Sequence, residues 1–293
     1  MLLSLDDASP GDVVGLVAVE SDAGRAVEWL DRTAGTVHRL DLDGDAVPET
    51  TATIDVGTDG AQRGLLGQVV IDGRRFAAWT QPGSFDLVVG EITDDGSARI
   101  VWDVGPAGSG AIGGVLDEHD GSIVLGLGRN TAWDRESGVG GAIVAVDPDA
   151  DPTQDPEALS VGYTNPWAFT VADDGAIWVA DNAAGPDPAD PDREDVERIG
   201  RADLVADRNA MTRSTVEQRA PSAMVELPDG RIGICGFLDG ELLAYDVVGE
   251  ARSELERAGT IMPCLTGAVV FADGTIVTAA QDDSGPTLHI LRP

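Results

Sequence analysis

The chain has 293 residues and a net charge of −33, and every one of its 19 basic residues is arginine. That length buries a full core, while that charge repels nucleic acid and anionic membrane surfaces and excludes both as partners. No stretch approaches the ~20 apolar residues of a membrane span, and the N-terminal MLLSLDDASP has no basic region or long apolar run. As written, the chain reads as soluble and not visibly exported.

The missing lysine has two readings. A GC-rich genome trades Lys for Arg and enriches Ala, Gly, Asp and Val; a salt-adapted surface carries excess acid, which also aids solubility. Glycine is frequent (37 residues), apolar runs are short, and helical periodicity is nearly absent, which together predict an all-β architecture.

In chain order, the predicted strands come as hairpins. Leu16–Val19 pairs with Val27–Leu30, Gly67–Ile71 with Phe76–Trp79, and Val115–Leu116 with Ile123–Leu125. Trp167–Val171 then pairs with Ile177–Ala180, Met224–Leu227 with Ile232–Cys235, and Ala268–Phe271 with Ile276–Ala279. Each pair flanks a turn glycine: Gly24, Gly73, Gly121, Gly175, Gly230 and Gly274, five of them directly preceded by Asp. Asp-Gly between two β-rich runs is the strongest short-range hairpin signal. A third strand often follows, as in Thr36–Leu42, Leu87–Ile92, Ala142–Asp147, Glu241–Val247 and Thr287–Leu291.

The glycines are spaced by 49, 48, 54, 55 and 44 residues. A period of this size, with three or four short strands per unit, is the signature of a β-propeller, and six units predict six blades in a single domain over residues 1–293. The last unit ends at its third strand, leaving an unpaired edge. Leu2–Leu5 is placed to supply the missing strand and remove that edge.

The order of the strands brings particular residues to one end. Asn165 and Pro166 precede the fourth hairpin and Asp181-Asn182 follow it, so both meet at the end opposite the turn. Acidic residues are dense from Asp181 to Glu197, with Asp187, Asp190, Asp192, Glu194 and Asp195 between them. A looped acidic segment suits calcium, which takes 6–8 oxygen ligands, and equally reads as a solvated acidic loop.

Gln62-Arg63-Gly64-Leu65-Leu66-Gly67, Asn165-Pro166-Trp167-Ala168-Phe169, Trp178-Val179-Ala180-Asp181 and Ala220-Pro221-Ser222 occur in an order that resembles the glucose/sorbosone dehydrogenase family. The resemblance runs from about Asp12 to Pro293. It implies a six-bladed propeller that oxidises a sugar or polyol at its mouth with pyrroloquinoline quinone (PQQ) and calcium, in a protein typically periplasmic or secreted. In such a division of labour the cofactor carries the redox chemistry and the protein positions and polarises it. By resemblance, Gln62, Arg63, Asn165, Trp167 and Asn182 would face the cofactor or sugar. Calcium would be held near Asp181, Glu194 and Asp195, partly through carbonyls around Ala183-Ala184. Gln62, Asn165 and Asn182 also read as turn or cap residues.

Departures from the pattern fall at the chemistry. The family's histidine base precedes a Gly-Gly-x-Leu run, here Gly113-Gly114-Val115-Leu116, which puts Ala111 at the base position. Alanine takes no proton. His38, His119 and His289 lie elsewhere and read as structural. The family's paired arginines fall on Cys264 and Thr266, and another on Thr164, leaving Arg63, Arg129 and Arg219 as candidate cations. Cys235 and Cys264 end and precede strands of neighbouring blades at the mouth end, within reach of a disulfide or as two buried thiols. Two cysteines without nearby histidine argue against zinc.

The expected function is therefore a quinone-dependent sugar dehydrogenase-like propeller whose base and arginine positions are replaced. The alternatives are a non-redox carbohydrate- or protein-binding propeller and a calcium-dependent lactonase.

Overall fold

The computed structural model describes residues 2–5, 12–21, 24–44, 47–60, 62–93, 95–107, 112–129, 140–182, 198–202, 214–215, 219–249, 254–282 and 285–293. Among them the strands form six four-stranded antiparallel sheets, the blades of a β-propeller. Blade 1 holds β2 (Val13–Ser21), β3 (Gly24–Asp31), β4 (Thr36–Asp41) and β5 (Glu49–Thr53); its partner in closure, β1 (Leu2–Ser4), comes first in the chain. Blade 2 holds β6 (Leu65–Ile71), β7 (Arg74–Thr80), β8 (Asp86–Ile92) and β9 (Ala98–Pro106). Blade 3 holds β10 (Leu116–His119), β11 (Ser122–Leu127), β12 (Ala142–Val146) and β13 (Glu157–Val161). Blade 4 holds β14 (Ala168–Val171), β15 (Ile177–Asp181), β16 (Arg198–Ala202) and β17 (Ser214–Thr215). Blade 5 holds β18 (Pro221–Glu226), β19 (Ile232–Gly236), β20 (Glu241–Val248) and β21 (Glu254–Pro263). Blade 6 holds β22 (Gly267–Val270), β23 (Ile276–Asp282) and β24 (Gly285–Leu291), and takes β1 as its outer strand, with Leu2 opposite His289 and Ser4 opposite Thr287. The N-terminal strand thus closes the ring as its sequence position predicts.

The repeated Asp-Gly turns adopt two backbone solutions. In blades 2 and 3 both residues are left-handed (Asp72 and Asp120 at φ 50°, Gly73 and Gly121 at φ 78°), the two-residue turn whose twist matches the strands. In blades 4, 5 and 6 only the glycine is left-handed (Gly175 and Gly230 at 78°, Gly274 at 84°). There its N–H closes the turn onto the carbonyl three residues back, at 2.8 Å in all three. The preceding Asp accepts the N–H two residues on, at 3.0 Å for Asp174, 3.3 Å for Asp229 and 2.9 Å for Asp273. Residues 22–23, the turn of the first hairpin, lie outside the described residues. In blade 3 the inner strand starts at Leu116 rather than Val115, because Gly113 (φ 71°) and Gly114 (φ 102°) carry the backbone outside strand conformations first.

Apolar faces of neighbouring blades pack on each other. Leu66, Phe76 and Leu87 of blade 2 meet Leu125 and Val144 of blade 3, all buried. Trp29 and Leu40 of blade 1 meet Val277 and Leu288 of blade 6 in the same way. At the axis the inner strands approach so closely that a Cβ on Gly67 would lie 2.4 Å from the Gly114 carbonyl oxygen. Glu28, fully buried, accepts Arg75 of the next blade at 2.7 and 2.5 Å and Arg39 at 3.4 Å.

Each junction between successive blades also has a side-chain-to-backbone bond. Gln68 Nε2 donates to the Gly15 carbonyl (2.8 Å), and Gln62 Oε1 accepts Ile112 N–H (3.3 Å). Asp117 accepts Val171 N–H (2.8 Å), and Asn182 Nδ2 donates to the Pro221 carbonyl (2.8 Å). Ser222 Oγ donates to the Leu265 carbonyl (2.5 Å), and Thr266 Oγ1 donates to the Val13 carbonyl. Together these six bonds link each blade to the next, at or beside the inner strands, and satisfy backbone groups there. Among the described residues no helix is long and apolar enough to cross a membrane.

Candidate functional site

The inner strands enclose a channel of about 370 Å³, lined by backbone and by Gln68, Asp117, Glu118, Asp173 and Glu226 among others. Toward the end opposite the Asp-Gly turns it meets a cavity of about 450 Å³. Two kinds of position line that mouth. One precedes each inner strand and contributes Gln62, Asn165, Ala220 and Thr266; the other follows the second strand and contributes Arg32, Asn182 and Phe237. One backbone bond defines the second kind: the N–H of Arg32 donates to Asp12, that of Asn182 to Asn165, and that of Phe237 to Ala220, at 2.8, 2.9 and 3.0 Å. Blades 1, 4 and 5 therefore present a guanidinium, an amide and a phenyl ring from equivalent places.

Asn165 owes its position to Asp181. The Asp181 carboxylate is buried, and its Oδ1 accepts the N–H of Thr164 (2.8 Å) and of Asn165 (2.6 Å), turning the chain before β14. The Asn165 side chain is 9% exposed, and its Oδ1 meets no hydrogen-bond partner from the protein. Asn182 Oδ1 is likewise buried without a partner, its Nδ2 being held by Pro221. Trp167 is half-buried on the same wall. Gln62 has its backbone in the left-handed region (φ 54°) and its side-chain oxygen on Ile112 N–H.

Four of the five residues expected to face a ligand, Gln62, Asn165, Trp167 and Asn182, thus line one cavity. Arg63 does not line it. That side chain is buried and donates to the Gln62 and Ala107 carbonyls at 3.4 Å each, and burial lowers its guanidinium from the ordinary arginine value. Arg219 is buried against Asp239 and Glu241, and Arg129 is exposed outside the cavity lining. The cation in the described lining is Arg32, which sequence reading missed. Its signal was positional, since it follows a second strand just as Asn182 does. Arg32 is engaged by the Asp12 carboxylate at 2.7 Å and the Arg63 carbonyl at 3.0 Å.

Where the family pattern expects paired arginines, Cys264 is disulfide-bonded to Cys235 (Cα–Cα 5.3 Å) and the Thr266 hydroxyl is bonded to Val13. Of the two states open to these cysteines, the bridge is the one formed. His38 stacks on Trp29 in blade 1 with ring centroids 5.3 Å apart, and neither it nor His119 nor His289 lines the cavity. Ala111, Ala183, Ala184, Glu194 and Asp195 lie outside the described residues. Among the described residues no three His, Cys, Asp or Glu side chains are grouped to hold a metal.

No family model matches the sequence, and no curated protein does. Solved structures do. An aldose sugar dehydrogenase from Streptomyces coelicolor, in its PQQ-bound form, superposes with a TM-score of 0.73 at 13% identity, covering 99% of this chain and 98% of that one. A glucose dehydrogenase follows at 0.71 and 14% identity, covering 100% and 99%. A virginiamycin B lyase from Staphylococcus aureus, solved with quinupristin, reaches 0.58 at 14% identity, covering 100% and 87%. The chain, a six-bladed propeller, shares its fold with these sugar dehydrogenases and superposes less closely on the lyase. A fold that serves both a dehydrogenase and a lyase leaves function to the site.

PQQ carries three carboxylates. The described lining offers it one guanidinium, already paired with Asp12, in a chain of charge −33. Each charge-assisted contact to a carboxylate contributes about 1.5–3 kcal/mol, and the positions that would supply them hold a disulfide and a bonded threonine. The described residues do not fit the trianionic quinone.

Proposed function

We propose that the mouth cavity binds a neutral, hydroxyl-rich small molecule of the sugar or polyol class, without quinone redox chemistry. The observation that carries this reading is the pair of buried amide oxygens, Asn165 Oδ1 and Asn182 Oδ1, in one cavity beside Trp167. A buried acceptor left unpaired costs about 1–3 kcal/mol. Hydroxyl groups donate to such oxygens without bringing a charge that the acidic chain would need to balance. Trp167 offers a flat apolar edge against which the C–H face of a sugar ring packs.

The likeness to sugar dehydrogenases supports the ligand class as an analogy of fold. Their redox chemistry is not carried over, because the described lining offers the quinone one cation, Arg32, already paired with Asp12. The test is calorimetric titration of the full chain with aldoses and polyols, alongside a dye-linked oxidation assay at saturating PQQ and calcium. Saturable binding that weakens about tenfold in Asn165→Ala, with no turnover, is the expected result. Robust turnover would restore the oxidoreductase reading and show that a base and cations come from residues outside those described. Absence of binding by any polyol would remove the sugar reading.

A further inference from the structure

We infer that the ligand of this cavity carries an apolar substituent, aryl or branched alkyl, seated on Phe237. This deepens the proposed function and rests on it. Phe237 lines the same cavity as Asn165 and Asn182, yet it is 48% exposed, and its neighbour Leu238 is 68% exposed. In blades 1 and 4 the equivalent position carries a polar side chain with a hydrogen-bonded partner, Arg32 on Asp12 and Asn182 on Pro221. Blade 5 holds a phenyl ring there. Ala220 and Pro221 of the same blade line the cavity with it, so blade 5 adds an apolar group of three beside the Asn165 and Asn182 amides of blade 4, while Val14 and Trp167 are the other apolar members of the lining.

The backbone that carries the ring is held by several bonds. Phe237 N–H donates to the Ala220 carbonyl at 3.0 Å and Leu238 N–H to the Arg219 carbonyl at 3.1 Å. Gly240 N–H donates to Gly236 at 2.8 Å, and Cys264 N–H donates to Gly240 at 2.8 Å. The buried Arg219 side chain pairs with Asp239 in the same turn and donates to the Glu241 carbonyl at 3.1 Å. One residue before Phe237, Gly236 follows Cys235, whose disulfide to Cys264 ties the end of β19 to the entry of blade 6. Four backbone bonds, a half-buried ion pair and a covalent bridge thus hold the backbone that presents one exposed ring at the cavity rim. A ring ordered in advance binds an apolar group without the entropy loss of fixing a loop. Both halves of the site favour an uncharged molecule with a hydroxylated face and an apolar end, as in a glycoside.

The test compares methyl and phenyl β-glycosides of glucose, galactose and xylose by calorimetry on the full chain. Phenyl glycosides are expected to bind about tenfold tighter than their methyl counterparts. Phe237→Ala should abolish that preference, weakening phenyl glycosides about tenfold to the level of their methyl counterparts. Leu238→Ala, at a residue outside the cavity lining, should preserve it. If methyl glycosides bind and phenyl glycosides bind no tighter, this inference falls and the proposed sugar site stands. If neither binds, both fall. A phenyl preference that survives Phe237→Ala overturns the assignment to this ring. So does a change in self-association on gel filtration of Phe237→Ala with the preference intact, which would make the ring a contact between copies.

Discussion

At the turn end of the inner hairpins, five described turns repeat Asp-Gly and settle into two backbone solutions. At the mouth end the equivalent position holds Arg32 in blade 1, Asn182 in blade 4 and Phe237 in blade 5. The turn end satisfies itself: in blades 4 to 6 each Asp carboxylate accepts a backbone N–H two residues on. The mouth end leaves Asn165 Oδ1 and Asn182 Oδ1 without protein partners. Repetition marks what the fold needs six times over, and variation at equivalent places marks what a ligand meets once. Blade 5 sharpens the contrast, because its mouth end alone among the described residues is pinned by a disulfide.

Removing that pin should give the largest effect. The bridge joins residues 29 apart, and closing a loop of that size in the unfolded chain is worth about 3–4 kcal/mol. Cys235→Ala/Cys264→Ala should lose about that much in urea unfolding. An unchanged midpoint would mean that the mouth end of blade 5 is held by its hydrogen bonds alone.

The turn end should respond to a backbone change with no packing component. A Cβ on Gly230 meets no atom within 4 Å, so Gly230→Val tests the left-handed φ of 78° by itself. The expected loss is about 1–2 kcal/mol, with Gly230→Asn losing distinctly less because Asn tolerates that region. Equal losses for the two would show that the turn is not limited by its backbone geometry.

At the mouth, two asparagines that look alike should separate. Asn165→Ala removes an oxygen with no protein partner and the penalty of leaving it unpaired, so stability should hold or rise by about 1 kcal/mol while polyol affinity drops about tenfold. Asn182→Ala also removes the bond to Pro221 that bridges blades 4 and 5, and should lose about 1 kcal/mol of stability in addition. Identical profiles for the two variants would erase the distinction between a bridge and a ligand contact.

How much of this was legible follows from the same contrast. The spacing of Gly24 to Gly274 carries the six blades, because each hairpin needs a left-handed residue at its turn, and Leu2–Leu5 carries the closure. The mouth is legible where a motif marks it, at Gln62 and at Asn165 to Asn182. Arg32 and Phe237 sit in no motif; only their register after a second strand reveals them, and register emerges once the strand ends are known. Arg63 reads as a mouth cation next to Gln62, yet it is buried on the Gln62 and Ala107 carbonyls and does not line the cavity, a direction that no spacing encodes. Sequence places Cys235 and Cys264 within reach of each other and does not encode whether they are bridged, which the structure shows they are.

The smallest expected effect lies between the two ends, at Asp117 in the channel. Burial pushes its carboxyl from 3.8 up to about 6, against the pull of the Val171 and Glu118 N–H groups and with a push from the Glu118 charge. Asp173 and Glu226 line the same channel and add negative charge on the facing blades. The folded chain therefore keeps a proton that the unfolded chain releases in this interval, so the group's contribution is full below about pH 4 and lost as pH rises to about 6. A shift of that size bounds the effect at about 3 kcal/mol, and the partial exposure of Asp117 reduces it to about 1 kcal/mol. Asp117→Asn forfeits part of the carboxylate's bonding at every pH, a constant offset that cancels when each protein is compared with itself. Urea unfolding at pH 4.0 and pH 6.5 should show the wild type losing about 1 kcal/mol more across the window than the variant does. Equal changes would place the Asp117 carboxylate in ordinary contact with water and make the bond to Val171 a bridge indifferent to pH.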